Sequence, residues 1–181
     1  IEVNRFDRLE DEGNHGKMLV SHVLGYLAAS RYGLAEDEII DLISRDLQVY
    51  KWFFDKSYHL PADLVQWAIQ HRRGENGKPS IQEVEPDADE ERAALAWLKE
   101  IRNPPEKVSE FLREVLTKPD GPKLPVVLWS RLSFDLEPYL SERTSEGSTL
   151  LTFYHRELED VSKTVFLSAF LFELPADSAN E

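Results

Sequence analysis

The residue whose type and position are best suited to chemistry is His155. It lies where a β-rich segment ending at Tyr154 gives way to a helical segment that begins at Arg156. A side chain at a strand-to-helix junction can project out of the fold, and the N-terminus of the following helix carries partial positive charge. An imidazole in this position could donate a hydrogen bond to a phosphate held by another domain. Two plainer roles remain open, as part of a helix N-cap region or as a partly buried structural histidine.

Motifs that would make the chain an enzyme by itself are missing from the sequence. It contains no GxxxxGK[ST] phosphate loop, no GxGxxG, no HExxH and no GxSxG. It has no cysteine, which excludes disulfides, thiolate metal sites and cysteine nucleophiles. The remaining histidines lack the i,i+4 spacing of a zinc-binding helix: His15, His22, His59 and His71. We therefore predict a chain that is not an enzyme and that holds neither a metal nor a cofactor of its own.

The charge of the chain restricts the partners that we expect. Its 34 acidic and 21 basic residues give a net charge of −13, which repels nucleic-acid phosphates. No apolar run approaches the ~20 residues needed to span a bilayer, and no secretory signal is visible. We therefore expect neither nucleic acid nor a membrane as a partner, and a cytoplasmic location that fits the lack of cysteine. Because residue 1 is Ile, we also expect the chain to be part of a longer protein or a trimmed product.

Apolar residues at helical spacing predict a first core helix over about Lys17–Arg31, capped by Asn14 and ending at Gly33. Its apolar stripe consists of Leu19, Val20, Val23, Leu24, Leu27 and Ala28. His22 is expected on or beside the polar side. A second helix over Leu34–Ser44 follows after a tight turn, with acidic residues in its first turn, where the helix dipole favours them. Two helices joined through a glycine are typical of the start of a helix-turn-helix.

Residues 59–123 change the pattern to several shorter helices and one acidic loop. Helical spacing starts at Pro61 and returns over Ala94–Ile101 and Val108–Leu116. The segment from 74 to 90 is turn-forming and strongly acidic, which predicts a solvated loop. We interpret residues 59–123 as a helical insertion with an acidic loop.

A helix, a β-hairpin and a closing helix follow the insertion. The prolines at 125 and 138 favour a helix over Pro125–Leu136. Tyr139–Arg143 and Ser148–Tyr154 are predicted to be the paired strands of a hairpin. Arg156–Phe170 is predicted to be the last helix, with Val165 among its inward residues. Residues 175–181 are small and polar, which predicts a flexible tail.

Three motifs together resemble a known family. They are LVSHVLGYLAASRYGLAEDEIIDLIS (Leu19–Ser44), LPVVLWSRLSFDLEPYL (Leu124–Leu140) and FYHRELEDV (Phe153–Val161). They are similar to the winged-helix region that follows the NACHT nucleotide-binding domain in signalling NTPases of the STAND class. Within that class the motifs resemble those of the nephrocystin-like and telomerase-associated proteins, including bacterial relatives. One position departs from the family pattern: Ala35 stands where many relatives have a Ser or Thr that caps the second helix.

The resemblance implies a mainly α fold: a winged helix, made of a helix-turn-helix and a β-hairpin wing, with a helical insertion between the second and third core helices. Residues 1–16 would then be a lead-in from a preceding domain, and residues 17–58 and 124–174 the winged-helix domain. Residues 59–123 would be the insertion and residues 175–181 the tail.

The resemblance also implies a non-catalytic regulatory role. In that family the winged helix packs on the NACHT domain in cis and holds the protein closed while ADP is bound, and the histidine at the position of His155 reaches a nucleotide phosphate. The parent protein would bind ADP or ATP with Mg²⁺, and exchange for ATP would release the contact and allow homo-oligomerisation.

Two alternatives come from other functional classes. The acidic loop or the 59–123 insertion could dock a partner, which would make the chain a protein-interaction scaffold. The chain could instead be a winged-helix nucleic-acid binder, although the expected third helix offers only Arg131 as a basic residue and the wing has Arg143 and little else.

Overall fold

A computed structural model describes residues 4–57, 60–75, 87–102, 105–118, 121–145 and 147–167. Most of the described residues are helical, and the described strands form one antiparallel pair. Four predictions lie wholly or mostly outside the described residues: the acidic loop, the tail 175–181, His59, and the end of the last helix at Phe170. Within the described part of the chain, no helix is long and apolar enough to cross a membrane.

The elements follow one another as helices interrupted once by a hairpin. In chain order they are α1 (Asn4–Glu10), α2 (Lys17–Ala29), α3 (Glu36–Arg45), α4 (Leu47–Lys56), α5 (Ala62–Glu75), α6 (Ala88–Ile101), α7 (Pro105–Leu116), α8 (Val126–Leu136), a 3₁₀ turn (Glu137–Tyr139), β1 (Leu140–Ser145), β2 (Ser148–Phe153), α9 (Arg156–Ser162) and a π-helical turn (Lys163–Leu167). They divide into two compact units. The first unit is Ile1–Ile43 with Val126–Glu181, and the second is Ser44–Pro125.

The first unit is built around α2, which packs against α1, β2, α9 and the π-helical turn. The predicted apolar stripe of this helix is confirmed, because Leu19, Val20, Val23, Leu24, Leu27 and Ala28 are all buried. The prediction for His22 is wrong. Its side chain is buried rather than on the polar side, and its ring contacts the ring of Tyr26 edge-on at 6.3 Å. Because four elements pack around α2, more of its circumference is buried than in an amphipathic helix at a protein surface, and the buried part includes His22.

α2 begins at Lys17, as predicted, but its predicted N-cap residue and its predicted C-terminal end are wrong. Gly16, not Asn14, is the N-cap residue, and the Asn14 side chain instead donates a hydrogen bond to the carbonyl of Arg8 at 2.7 Å. The helix ends at Ala29 rather than Arg31, with the extended Ser30 as its C-cap. Gly33 therefore lies beyond the helix end, where its role is in the contact with the hairpin.

The closing helix changes period after about two turns, since α9 has 7 residues. α9 is α-helical only to Ser162, and the following π-helical turn adds an extra residue to the turn. As a result Ser162 and Phe166 are buried while Val165 is 40% exposed. The prediction that Val165 faces inward is wrong, because it assumed one helical period throughout.

The second unit contains α4 to α7, in which α5 packs on α6 and α7 packs on α4 and α6. Its two chain ends are joined: the buried Ser44 hydroxyl accepts a hydrogen bond from the amide of Leu124 at 2.9 Å. Arg102 donates to the carbonyls of Phe54 and Ser57 at 2.6 and 3.1 Å, which places a cation at the C-terminus of α4. α4 packs within this unit, whereas the sequence interpretation placed residues 17–58 in the winged-helix domain. The predicted domain limits at residues 58 and 124 remain a prediction.

Candidate functional site

The hairpin of the first unit positions the candidate site. β1 and β2 pair from Leu140 opposite Phe153 to Ser145 opposite Ser148. The base of the hairpin is closed by the amide of Tyr154, which donates to the carbonyl of Tyr139 at 2.9 Å. β1 begins at Leu140 rather than Tyr139 and extends to Ser145, beyond the predicted end at Arg143, whereas β2 ends at Phe153, one residue before the predicted Tyr154. Because the pairing continues to the last residue of β2, the chain leaves the sheet in a defined direction just before His155.

A third extended segment joins this sheet. Leu34 and Leu151 exchange a pair of backbone hydrogen bonds, with N–O distances of 3.1 and 2.8 Å. Leu34 stands directly before α3, so this bridge ties the turn between α2 and α3 to the hairpin. β2 is therefore held on both sides, by β1 and by Leu34.

Gly33 makes this bridge possible. Its φ is +97°, and a Cβ built on it would lie 2.5 Å from the carbonyl oxygen of Leu151 and 2.6 Å from Cγ2 of Thr152. The first of these neighbours is backbone and cannot move away without breaking the bridge. The position needs glycine both for the conformation and for the close approach.

His155 is the N-cap residue of α9 by its backbone but not by its side chain. Its φ of −116° and ψ of 135° are extended, and its carbonyl accepts from the amides of Leu158 and Glu159 at 3.1 and 3.3 Å. The ring does not accept a capping hydrogen bond from the backbone amides of the first turn. The ring is exposed and contacts the ring of Tyr154 edge-on, with 4.5 Å between centroids. The structure thus places this imidazole at the surface, and neither ring nitrogen has a hydrogen-bond partner among the described residues.

The charges next to His155 are mixed. Arg156 is almost fully exposed and lies 4.0 Å from Asp160 in an i,i+4 pair. Glu157 and Glu159 occupy the first turn of α9, and Glu159 binds Lys163 at 2.5 Å. Exposed ion pairs of this kind contribute little free energy, so the Arg156 side chain can leave Asp160 and contact another anion.

The other described histidines contact side chains within their own units. The Nε2 atom of His15 lies 2.8 Å from Oδ2 of Asp135, and the histidine is buried while the aspartate is partly exposed. His71 stacks on Trp67 at 5.1 Å and is tilted against Trp97 at 5.7 Å within the second unit. Across the described ranges, no three His, Asp or Glu side chains come together as a metal site. Sequence reasoning missed the contact between His15 and Asp135 because 120 positions separate the two residues and neither belongs to a motif.

Sequence reasoning also missed an apolar side chain at the surface. Phe134 on α8 is 74% exposed, although it stands among the apolar residues from which the helix was predicted. Trp129, Leu132 and Leu136 form the buried stripe of the same helix. The spacing of these three, at i, i+3 and i+7, is the signal that could have placed Phe134 on the opposite side.

Comparison with known proteins relates the chain to one part of much longer proteins. It is 32% identical over 157 residues, 87% of this chain, to NACHT domain- and WD repeat-containing protein 1 of Homo sapiens. It is also 32% identical over 161 residues, 89% of this chain, to the protein of that name from Mus musculus. The chain spans 6% of the length of each of these relatives. No family model matches the chain, and no solved structure matches it significantly. The chain is therefore related to a region of a NACHT-containing protein.

Proposed function

We propose that the chain is the winged-helix module of a NACHT-containing NTPase of the STAND class, and that it regulates nucleotide exchange without catalysing a reaction. The observation that carries this proposal is the 32% identity to a NACHT-containing protein over 87% of the chain. The order of elements supports the winged-helix part: helix α2, extended Leu34, helix α3, helix α8, and then the hairpin as the wing. The second unit begins in the last turn of α3, at Ser44, and ends at Pro125, directly before α8.

In the proposed assembly a NACHT domain in cis binds ADP or ATP with Mg²⁺, and His155 donates a hydrogen bond to a phosphate of the nucleotide. The exposed ring, the helix N-terminus behind it and the adjacent Arg156 support this role. The γ-phosphate of ATP adds charge and volume at the position of the His155 ring. The equilibrium between a closed form and an open, homo-oligomeric form therefore shifts towards the open form. Such a protein acts in the cytoplasm.

A winged helix usually suggests nucleic acid, and we propose that this one does not bind it. In DNA-binding relatives of the fold the third helix contacts the groove. Here the exposed side of α8 carries Val126, Val127 and Phe134, with Arg131 as its basic residue. Beside this side of α8 lie the carboxylates of Glu36 and Glu137. A gel shift with duplex DNA at low salt is expected to show no complex, and a salt-sensitive complex would contradict the proposal.

The decisive experiment replaces His155 in a protein that carries the chain together with its NACHT domain. His155→Ala is expected to speed the release of ADP by ~10- to 100-fold, because a hydrogen bond to a charged group contributes ~1.5–3 kcal/mol. His155→Gln keeps an N–H donor and should recover part of the loss. Release is measured by stopped-flow fluorescence with a labelled ADP, and basal activity should rise with it.

A matched control separates this role from a general effect on the hairpin. Thr144 is exposed on β1, away from the junction with α9, so Thr144→Ala should leave ADP release unchanged. The proposal is refuted if ADP release and basal activity are the same in His155→Ala and in the unaltered protein. By itself the chain is expected to hydrolyse no ATP, and turnover by the isolated chain would also count against a purely regulatory role.

A further inference from the structure

The first unit carries an open groove beside α8 that the role of His155 does not use. Its cavity volume is about 320 Å³, and its apolar surface comes from Phe134, Leu140 and Leu151. This volume is at the lower end of ligand sites, which run from ~300 to 1,000 Å³, so the groove fits one or two side chains rather than a large cofactor. A single exposed aromatic ring is ordinary on a protein surface, but here the ring is part of a concave surface.

The apolar side of this groove is formed by three elements, α8, β1 and β2. α8 turns Trp129 and Leu132 into the core, and this orientation leaves Phe134 on the outer side. Leu140 and Glu142 point to the same face of the sheet because they are two residues apart in β1. Leu151 is the partner of Glu142 across the hairpin and shares that face.

The charged residues of the groove all have one sign. Glu36 comes from the first turn of α3, Glu137 from the 3₁₀ turn and Glu142 from β1. All three are exposed, and none of their carboxylates has an ion-pair or hydrogen-bond partner elsewhere in the described ranges. Among the described residues that line the groove there is no lysine or arginine. Three carboxylates from three separate elements therefore surround an apolar surface with negative potential.

We propose that this groove binds a basic amphipathic peptide segment of a partner protein, with an apolar side chain against Phe134 and lysine or arginine side chains at the three glutamates. Charge complementarity selects the sign of the partner, and the apolar surface selects a peptide over a simple ion. A metal ion fits poorly, because no three possible ligands converge anywhere in the described residues. Nucleic acid is repelled by the same carboxylates. The proposal goes beyond the regulatory role above and does not depend on His155.

The experiment uses the whole chain and a fluorescent peptide of about 14 residues, roughly 20 Å long as a helix, composed of leucine and lysine with the leucines on one face. Binding is followed by anisotropy at several salt concentrations. Phe134→Ala should weaken binding by ~10-fold, because a buried aromatic anchor dominates a small interface. Its matched control is Val127→Ala, which removes another exposed apolar side chain of α8 that does not line the groove. This control should change the affinity less than ~2-fold.

Charge is tested by a second pair of variants. Glu142→Gln should weaken binding by ~3-fold and reduce its salt dependence, whereas Glu157→Gln, an exposed glutamate on α9 outside the groove, should do neither. A peptide with glutamate in place of lysine should not bind. Equal effects of the groove and control variants would overturn the proposal, since they would mean attraction by net charge alone. Absence of peptide binding up to ~100 µM would overturn it as well. All these variants retain His155, so failure of the peptide experiments would leave the proposed role of His155 in nucleotide regulation unaffected.

Discussion

Replacing Gly33 by alanine tests the most demanding backbone feature of the first unit. The variant should lose ~1–2 kcal/mol because a residue with a Cβ is strained in the left-handed region, where Gly33 has a φ of +97°. The new Cβ would also lie 2.5 Å from the carbonyl oxygen of Leu151, so the two backbone hydrogen bonds between Leu34 and Leu151 must stretch or break. Each contributes ~0.5–1.5 kcal/mol, which brings the expected total to about 3 kcal/mol.

Gly147 supplies a matched control for the strain. It also has a positive φ, +86°, but a Cβ there would meet nothing within 4 Å. Gly147→Ala should therefore show only the strain of ~1–2 kcal/mol, reduced in both variants by the smaller entropy of the unfolded chain. The difference between the two variants isolates the lost contact with Leu151.

The assay combines urea unfolding, followed by far-ultraviolet circular dichroism, with hydrogen exchange resolved at single amides. In Gly33→Ala the amides of Leu34 and Leu151 should exchange faster relative to the rest of the unit, because the bond that protects each of them is the one that breaks. In Gly147→Ala they should stay protected. If Gly33→Ala is no more destabilising than Gly147→Ala, the close approach is not a constraint and this reasoning is wrong.

Three further predictions follow from single residues. Glu38 already accepts from the amide of Ala35 at 2.8 Å, so Ala35→Ser should complete the capping box of α3 and raise the free energy of unfolding by ~1 kcal/mol, with Ala35→Gly as a control that adds no hydroxyl. The buried hydroxyl of Tyr50 has no partner in the described residues, and burial, followed by the charge of Asp63, raises its pKa. Tyr50→Phe should therefore stabilise the protein by ~1 kcal/mol in a urea titration, and its advantage over the unaltered protein should grow as the pH rises above the ordinary tyrosine value of 10.0. Burial raises the pKa of Glu10, with Lys17 opposing and Asp7 adding to the shift, so the folded state holds this proton more tightly and the carboxyl's contribution to stability is lost as the pH rises past 4.5. Glu10→Gln should accordingly increase the melting temperature at neutral pH but not below 4.5; an equal gain at both pH values would exclude the ionised carboxyl as the cause.

Much of the local structure could be predicted because its cause is local. The apolar stripe of α7, which includes Val108 and Leu112, repeats at helical spacing and is buried as predicted. The hairpin could be predicted from its β-rich segments around a polar turn, and the structure confirms an antiparallel pair over Leu140–Ser145 and Ser148–Phe153. The likeness to NACHT-associated sequences also came from residues alone, and the comparison supports it at the level of a related region.

The errors occur where a residue's surroundings come from distant parts of the chain. The period of the closing helix changes after Ser162, so Val165 faces outward. His22 is buried because four elements surround α2, a fact that its own helical pattern does not contain. Gly33 was interpreted as the end of a helix, but its partner is Leu151, more than one hundred positions away in the sequence.

For the candidate site the division is similar. The sequence by itself determined that His155 stands between a strand and a helix, because short-range propensities place both elements. It also determined the negative charge and the absence of catalytic motifs. Only the tertiary structure decided that the imidazole is exposed, that Phe134 lies outside the core, and that Glu36 and Glu142 share one groove. These facts depend on which faces of separate elements meet, and that choice is made by packing over the whole unit rather than by any local pattern.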